Sequence, residues 1–137
     1  MAFINYVTQI QFEFGAVQLL RQECDRVGIT RPLIVTDPGV KAAGVLQKAL
    51  DALPGLPLAV FDQTPANPTE AAVRAAVAVY QAQGCDGLIA VGGGSAIDCA
   101  KGIAIAAVLI IAGLLALIVA AYLAFRIAAA IFEQQES

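Results

Sequence analysis

Histidine is absent from all 137 residues of this sequence, and charged side chains are scarce. Without an imidazole, the chain lacks the side chain that proteins use most often as a general base and as a metal ligand. Only 14% of the residues are charged, whereas an ordinary soluble domain carries about a quarter. The net charge is −3. Since neither a basic cluster nor an RNA-binding aromatic motif occurs, we expect no nucleic-acid partner.

The three cysteines, Cys24, Cys85 and Cys99, show no CxxC spacing. An odd number of thiols without a pairing pattern is typical of a reducing compartment, where cysteine acts as a small hydrophobic residue. No histidine is present to activate any of them as a nucleophile. The opening segment, MAFINYVTQIQFEF, lacks the basic start and the sustained apolar core of a secretory signal. We therefore expect the folded domain to be cytoplasmic.

The scarcity of charge is concentrated at one end of the chain. Residues 1–101 hold seven Lys or Arg and nine Asp or Glu, whereas residues 102–137 hold one Arg and two Glu. The sequence therefore predicts two parts. An α/β domain occupies residues 1–101, and residues 102–137 form an apolar helix with a short polar tail.

Short apolar runs alternate with amphipathic segments throughout the first part. Strands are predicted at 9–14 (QIQFEF), 33–36 (LIVT), 58–61 (LAVF) and 87–91 (GLIAV), and helices at 16–27, at 40–53, from 68 to about 83, and from Ser95 onward. Strands that alternate with helices at this spacing predict βαβ units. The expected fold is therefore a parallel sheet with flanking helices on both faces.

The sequence GGGS follows the last predicted strand and precedes a helix. Glycines at 92–94 let a backbone approach a phosphate closely, and the N-terminus of the helix favours negative charge. Ser95 can cap that helix. The pattern matches neither GxGxxG nor GxxxxGK[ST]. For the loop taken alone, a tight strand-to-helix turn is an equally good interpretation.

Two polar residues follow the other predicted strands. Asp37 comes directly after LIVT, where an acidic residue can accept hydrogen bonds from ribose hydroxyls, and Asn67 lies in the loop after LAVF. Each can equally be a turn residue beside a proline. Both residues and the glycine loop lie at the carboxyl ends of strands, which is the edge where open α/β sheets bind ligands.

Four segments of the sequence together resemble one enzyme family: FEFGAVQLL, LIVTDPGV, the NPT of TPANPTE, and DGLIAVGGGSAIDCAKGIAIAA. They occur in the order typical of the N-terminal part of iron-containing (group III) alcohol dehydrogenases. The resemblance covers about residues 7–107. It implies a partial Rossmann-like parallel sheet that binds NAD or NADP.

The resemblance also implies roles for individual residues. Asp37 would contact the adenosine ribose, Asn67 would lie in the cofactor cleft, and Asp98 would face that cleft from the first turn of the following helix. An Asp at the ribose position favours NAD, because it would repel the 2′-phosphate of NADP. The pyrophosphate would lie against three consecutive residues of the glycine loop, namely Gly93, Gly94 and Ser95.

The catalytic parts of that family have no counterpart in this sequence. The family's TTAGTGSE-like loop near the nicotinamide does not occur, and the three His that join an Asp in binding iron or zinc are missing. Without a metal, no Lewis acid polarises the alcohol or aldehyde oxygen. We therefore expect residues 1–101 to form a truncated dinucleotide-binding domain that binds NAD but neither iron nor zinc. This chain alone is expected to be inactive as a dehydrogenase.

Residues 102–125 contain no charged side chain, and about 20 apolar residues suffice to span a bilayer as a helix. Lys101 and Arg126 bracket this run. A continuous helix from 95 to 132 would be about 57 Å long. We expect residues 103–125 to span the membrane as a tail anchor, with the nucleotide-binding domain in the cytoplasm. The alternative is a buried helix of a soluble protein.

Three hypotheses are compatible with these features. The first is the NAD-binding part of an alcohol or aldehyde oxidoreductase, without its metal-binding catalytic domain. The second is a membrane-tethered nucleotide-binding module that acts through a partner, and the third is a non-functional fusion or frameshift product. An incomplete sheet exposes an edge, so self-association through that edge or through the apolar helix is expected.

Overall fold

The computed structural model describes residues 10–135, and the side chains of residues 10–125. A short 3-10 helix at Ala16–Leu19 leads into the other elements, which are, in chain order, α1 Leu20–Val27, β1 Pro32–Val35, α2 Pro38–Ala42, α3 Val45–Asp51, β2 Ala59–Phe61, α4 Glu70–Ala82, β3 Gly87–Ala90 and α5 Gly94–Gln135. The predicted α/β class is confirmed, with one long helix after the sheet.

The three strands form a parallel sheet in the order β2-β1-β3. In the centre, Leu33 of β1 lies opposite Ala59 of β2 on one side and opposite Leu88 of β3 on the other. The chain thus passes from β1 to one neighbour and later to the opposite neighbour. Such a reversal opens a crevice at the carboxyl ends of β1 and β3, where open α/β sheets bind ligands.

The central strand is buried on both faces, because Leu33, Ile34 and Val35 are all 0% exposed. Helices α4 and α5 cover one face of the sheet, and α1 and α3 cover the other. The first cluster contains Leu33, Val35, Phe61, Ala76, Val77, Cys85, Cys99 and Ile103, and the second contains Cys24, Ile34, Leu46, Leu53 and Ile89. A continuous apolar run is typical of a parallel strand covered on both sides.

The first part of α5 belongs to this core. Ala96, Cys99 and Ile103 recur at helical spacing and are 0% exposed. Gly102 lets α4 approach closely, since a Cβ at Gly102 would lie 3.0 Å from Cγ2 of Val73. The segment that immediately follows the glycine loop is therefore held rigidly against the sheet.

From residue 108 onward the same helix leaves the α/β unit. The large apolar side chains between residues 108 and 125 are 37% to 71% exposed. Helix α5 is long and apolar enough to cross a membrane, as judged by length and composition. The predicted span from 103 overlaps the core, because Ile103 is fully buried. The predicted boundary between residues 101 and 102 lies inside the continuous helix, and the division into two parts stays a prediction.

The predicted strand at residues 9–14 is wrong for residues 10–14, which are irregular, and residue 9 lies outside the described residues. Phe12 and Phe14 are almost fully exposed. Alternation of polar and apolar residues does not form a strand by itself, because a strand needs a hydrogen-bonded neighbour.

The single helix predicted at residues 40–53 is instead two helices, α2 and α3. Gly44 between them has a φ of +74°, a left-handed conformation that ends one helix before the next begins. The first of these helices also begins earlier than predicted, at Pro38. Asp37 is therefore at a helix start rather than in a simple turn.

Candidate functional site

The loop after β3 has a backbone conformation that requires glycine. Gly92 has a φ of +144°, which residues with a side chain rarely adopt. A Cβ at Gly92 would lie 3.2 Å from Cβ of Ala96 and 3.3 Å from Oδ2 of Asp37. Gly93 and Gly94, in contrast, have open space where a Cβ would be. The loop is therefore tight at its base and accessible at its tip.

Helix α5 begins at Gly94, one residue before the predicted cap Ser95. The amide of Ile97 donates to the carbonyl of Gly93 at 3.2 Å, which closes the first helical turn. The amides of Gly94 and Ser95 precede that bond and point out of the helix end. Together with the dipole of the helix, these N–H groups can hold an anion.

The hydroxyl of Ser95 donates a hydrogen bond of 2.5 Å to the carbonyl of Ala66. This bond ties the glycine loop after β3 to the loop after β2. Since the hydroxyl proton is used inside the protein, the predicted pyrophosphate contact of Ser95 falls to its backbone amide. Nothing in the sequence indicated this link, because it depends on how two distant loops approach each other.

Asp37 is half-buried and has two separate environments for its two carboxylate oxygens. Oδ1 accepts a hydrogen bond of 2.9 Å from the amide of Val40 and so caps helix α2. Oδ2 is the atom that approaches Gly92. Asp37 therefore lies beside the glycine loop, and a carboxylate oxygen can accept more than one hydrogen bond.

A cleft of about 450 Å³ opens at this edge of the sheet, within the size range of small-molecule sites. It brings Asp37 and Ser95 together. The full lining is Asp37, Pro38, Gln63, Thr64, Pro65, Ala66 and Ser95. The lining segment 63–66 was not predicted as part of the site.

Thr64 in that lining is 1% exposed. Its amide donates to the carbonyl of Thr36 at 3.3 Å, but its hydroxyl oxygen has no hydrogen-bond partner among the described residues. A buried hydroxyl without a partner is costly. An unsatisfied polar atom in the wall of a cleft is therefore a feature that a ligand or an ordered water would explain.

The other two predicted site residues lie outside the cleft lining. Asn67 is exposed and directly follows the lining segment. Asp98 is exposed on α5, and its carboxylate is 3.4 Å from the ammonium of Lys101. Such an exposed ion pair contributes little to stability. The roles of Asn67 and Asp98 in cofactor binding stay predictions.

An ion pair closes the outer rim of this edge. Nζ of Lys41 donates to Oδ2 of Asp62 at 2.5 Å, which joins α2 to the loop after β2. The hydrogen bond from Lys41 holds the pKa of Asp62 below its ordinary value.

Asp86 lies at the opposite, amino edge of the sheet. Its carboxylate accepts from the amides of Thr30 and Arg31 and from the Thr30 hydroxyl. These bonds, led by that of the Thr30 hydroxyl, lower the pKa of Asp86. Asp86 therefore clamps the starts of β1 and β3 together, and it lies far from the cleft.

The cysteines have no catalytic environment. Cys24, Cys85 and Cys99 are buried and free, and burial raises the pKa of both Cys24 and Cys85. Within residues 10–125, no group of three or more His, Cys, Asp or Glu side chains is arranged to hold a metal ion. These residues do not fit a catalytic iron or zinc, whereas the cleft beside the glycine loop fits a phosphate-bearing ligand.

A parallel sheet with a strand-order reversal, a glycine loop at a helix N-terminus and an acidic residue after the neighbouring strand define an α/β protein of the dinucleotide-binding class. Comparison with known proteins specifies the class further. The family model of the iron-containing alcohol dehydrogenases matches residues 7–124. The chain belongs to this family.

Individual relatives agree with this assignment. The chain is 67% identical over 107 residues to 4-hydroxybutyrate dehydrogenase of Cupriavidus necator, an alignment that covers 78% of this chain and 28% of that protein. The crystal structure of a 1,3-propanediol oxidoreductase matches with a TM-score of 0.66 and 39% identity, over 68% of this chain and 25% of that one. Sulfoacetaldehyde reductase from Bifidobacterium kashiwanohense, solved in complex with NAD+, matches with a TM-score of 0.64 and 26% identity, over 74% and 27%.

Two facts about extent follow. The chain spans about a quarter of the length of the relatives it matches. The family match also extends to residue 124, so the predicted end of the resemblance near 107 is wrong. The exposed part of α5 up to residue 124 thus lies inside the region that the family model aligns.

Proposed function

We propose that this chain binds NAD(H) as the cofactor-binding part of an alcohol or aldehyde oxidoreductase. The observation that carries the proposal is the approach of Asp37 to the glycine loop, with Oδ2 3.3 Å from the position of a Gly92 Cβ. A ribose acceptor and a phosphate site are thereby adjacent, at the carboxyl ends of the central strand and its neighbour. A sulfoacetaldehyde reductase of the same fold, solved with NAD+, supports the proposal.

Each residue of the site has a defined task in this proposal. Oδ2 of Asp37 accepts hydrogen bonds from the adenosine ribose, and the amides of Gly94 and Ser95 donate to the pyrophosphate. Open space at Gly93 lets the phosphate approach the backbone. The tether from Ser95 to Ala66 fixes the width of the cleft between the two loops. NAD, when bound, supplies hydride transfer.

Dehydrogenase chemistry of the family type requires a metal site, and the residues described here do not fit one. We therefore propose that turnover needs ligands from outside this sequence, which has no histidine. The name of the Cupriavidus relative points to a short alcohol or aldehyde as the substrate class. A non-functional chain that binds no nucleotide is the competing proposal.

We also propose that helix α5 inserts into a membrane beyond residue 107, with the α/β unit in the cytoplasm. The exposed, uncharged stretch from 108 to 125 is about 27 Å long, close to the thickness of a hydrocarbon core, about 30 Å. A helix that is apolar on all faces is favourable only when apolar material surrounds it. Three buried free thiols are compatible with a reducing compartment.

NADH fluorescence titration of the full-length chain in detergent tests the nucleotide proposal. We expect saturable binding that Asp37→Asn weakens by about tenfold, because hydrogen bonds to a charged acceptor contribute roughly 1.5–3 kcal/mol. Asn retains the helix cap, so this variant separates the ribose contact from the capping role. The same variant should weaken NADPH binding less, because it removes the repulsion of the 2′-phosphate.

A matched control uses the same chemical change away from the cleft. Asp51→Asn alters an exposed carboxylate that accepts only from Gln47 in α3, and it should leave NADH binding unchanged. A folded far-UV spectrum without NADH binding would overturn the proposal and favour a non-functional product.

A further inference from the structure

We propose that the α/β unit sits on the membrane with the amino edge of its sheet toward the lipid headgroups and its cleft opening on the far side. This inference rests on the membrane insertion proposed above. It adds which surface of the unit meets the bilayer. The argument uses the direction of the strands, the direction of the helices, and the point where α5 leaves the core.

The direction of α5 fixes which end of the unit it leaves. All three strands are parallel, and the cleft lies at their carboxyl ends. Helix α5 begins beside that cleft at Gly94 and packs back along the sheet through Ala96, Cys99 and Ile103. It therefore runs from the carboxyl edge toward the amino edge. The exposed stretch 108–125 emerges at the edge opposite to the cleft.

Helix α4 marks the level of the exit point. It runs parallel to α5, because both follow a strand of the same parallel sheet. A groove between the two helices is lined at its lower end by Gln81, Leu109 and Ile110. Gln83, two residues further, ends α4 just before the turn into β3. The first lipid-exposed residues are therefore level with the amino edge.

The geometry also sets the height of the cleft. From Gly94 to Leu109 the helix rises about 22 Å. No glycine with a positive φ and no proline interrupts α5 in this interval, and its first part is buried in the core. The cleft should therefore stand about 20 Å from the headgroups on a rigid support.

The choice of lipid as the occupant of stretch 108–125 rests on three observations. The stretch carries no charge, its side chains are exposed on all sides, and its length approaches the thickness of a hydrocarbon core. A second copy of the chain would cover one side of the helix and leave the rest in water. A bilayer covers every side.

Energy transfer to labelled lipids tests the orientation on the full-length chain. A donor dye is attached to a cysteine introduced at one of two exposed positions of α4, Ala71→Cys near its start or Gln83→Cys at its end. These positions differ in height by about 18 Å. The native thiols are buried, so the unsubstituted chain serves as the labelling control. The liposomes contain phosphatidylcholine, phosphatidylglycerol and a rhodamine-headgroup lipid.

We expect the Gln83→Cys label to transfer energy at least about twofold more efficiently than the Ala71→Cys label, given that difference in height. Equal transfer from both labels, or stronger transfer from Ala71→Cys, would overturn the orientation while leaving insertion intact. Loss of the chain from floated liposomes after an alkaline wash would overturn insertion itself. Stable oligomers in lipid-free buffer that do not bind liposomes would assign the helix to a second copy. NADH binding, measured separately, is independent of all these outcomes.

Discussion

The two parts of helix α5 have similar compositions and opposite surroundings. Up to residue 107, small and apolar side chains such as Ala96, Cys99 and Ile103 are buried against the sheet. From 108 to 125, larger apolar side chains such as Leu117 (68% exposed) face outward on every side. In the first part the apolar residues form one stripe that matches a core, whereas in the second part no polar face exists. Hydrophobicity alone therefore does not tell a core helix from a membrane helix; the angular distribution around the helix does.

The largest expected effect comes from placing charges in the exposed part. Leu114→Arg combined with Ile118→Arg should move the chain from the membrane pellet to the alkaline wash. Each Arg near the centre of a bilayer helix costs about 2.5–3.5 kcal/mol on insertion. Fractionation of cells that express the two forms measures the shift.

The matched control places the same two charges at the same spacing on the α/β unit. Ala71→Arg with Ala75→Arg alters exposed positions of α4 and should leave the distribution unchanged. If the control and the test variant fractionate alike, the exposed part of α5 is not the membrane determinant.

The next effect contrasts two glycines of the same loop. Gly92→Ala should lower the free energy of unfolding by about 1–3 kcal/mol, because its φ of +144° is strained for any residue with a side chain. Gly93→Ala meets open space and should leave stability unchanged while weakening NADH binding. Denaturant unfolding followed by NADH titration separates the two. Equal losses of stability would contradict the assignment of the strain to Gly92.

A pair of threonines should respond to the same change with opposite signs. Thr64→Val removes a buried hydroxyl that has no partner among the described residues, and without nucleotide it should raise the free energy of unfolding by about 1 kcal/mol. Thr69→Val removes the cap of α4, whose hydroxyl accepts from Ala72, and should lower it by about 1 kcal/mol. Destabilisation by Thr64→Val would show that the hydroxyl has a partner in solution.

The smallest effect concerns the amino edge. Asp86 has a pKa below the ordinary 3.8 in the folded chain, so its clamp stabilises the fold above about pH 4 and is lost as the pH falls through the lowered pKa. Asp86→Asn should therefore destabilise the chain by roughly 1 kcal/mol at pH 7. At pH 3 the difference between the two forms should shrink. A difference that is constant across this range would contradict the electrostatic explanation.

Much of the fold was predictable, because periodicity and turn residues act locally. The apolar run LIV indicated a buried strand and became the fully buried β1. The helix at residues 40–53 was predicted as one element because apolar spacing continues across Gly44, although the left-handed backbone there breaks it. The strand at residues 9–14 failed for a different reason. Alternation is present, but no neighbouring strand lies against it.

The site was predictable only in part. Asp37 and the glycine loop were found, because a residue type at a strand end carries information about the ligand edge. The tether from Ser95 to Ala66 and the buried hydroxyl of Thr64 were missed. Both depend on the approach of loops about 30 residues apart along the chain, which no local pattern reveals.

The most direct test of the account joins its two halves in one sample. The full-length chain is reconstituted into liposomes, floated through a density gradient, and assayed for NADH binding in the floated fraction. The account predicts saturable NADH binding that floats with the lipid and is weakened by Asp37→Asn. A floated, folded chain without NADH binding would contradict the nucleotide site, and NADH binding confined to the unfloated fraction would contradict the membrane helix.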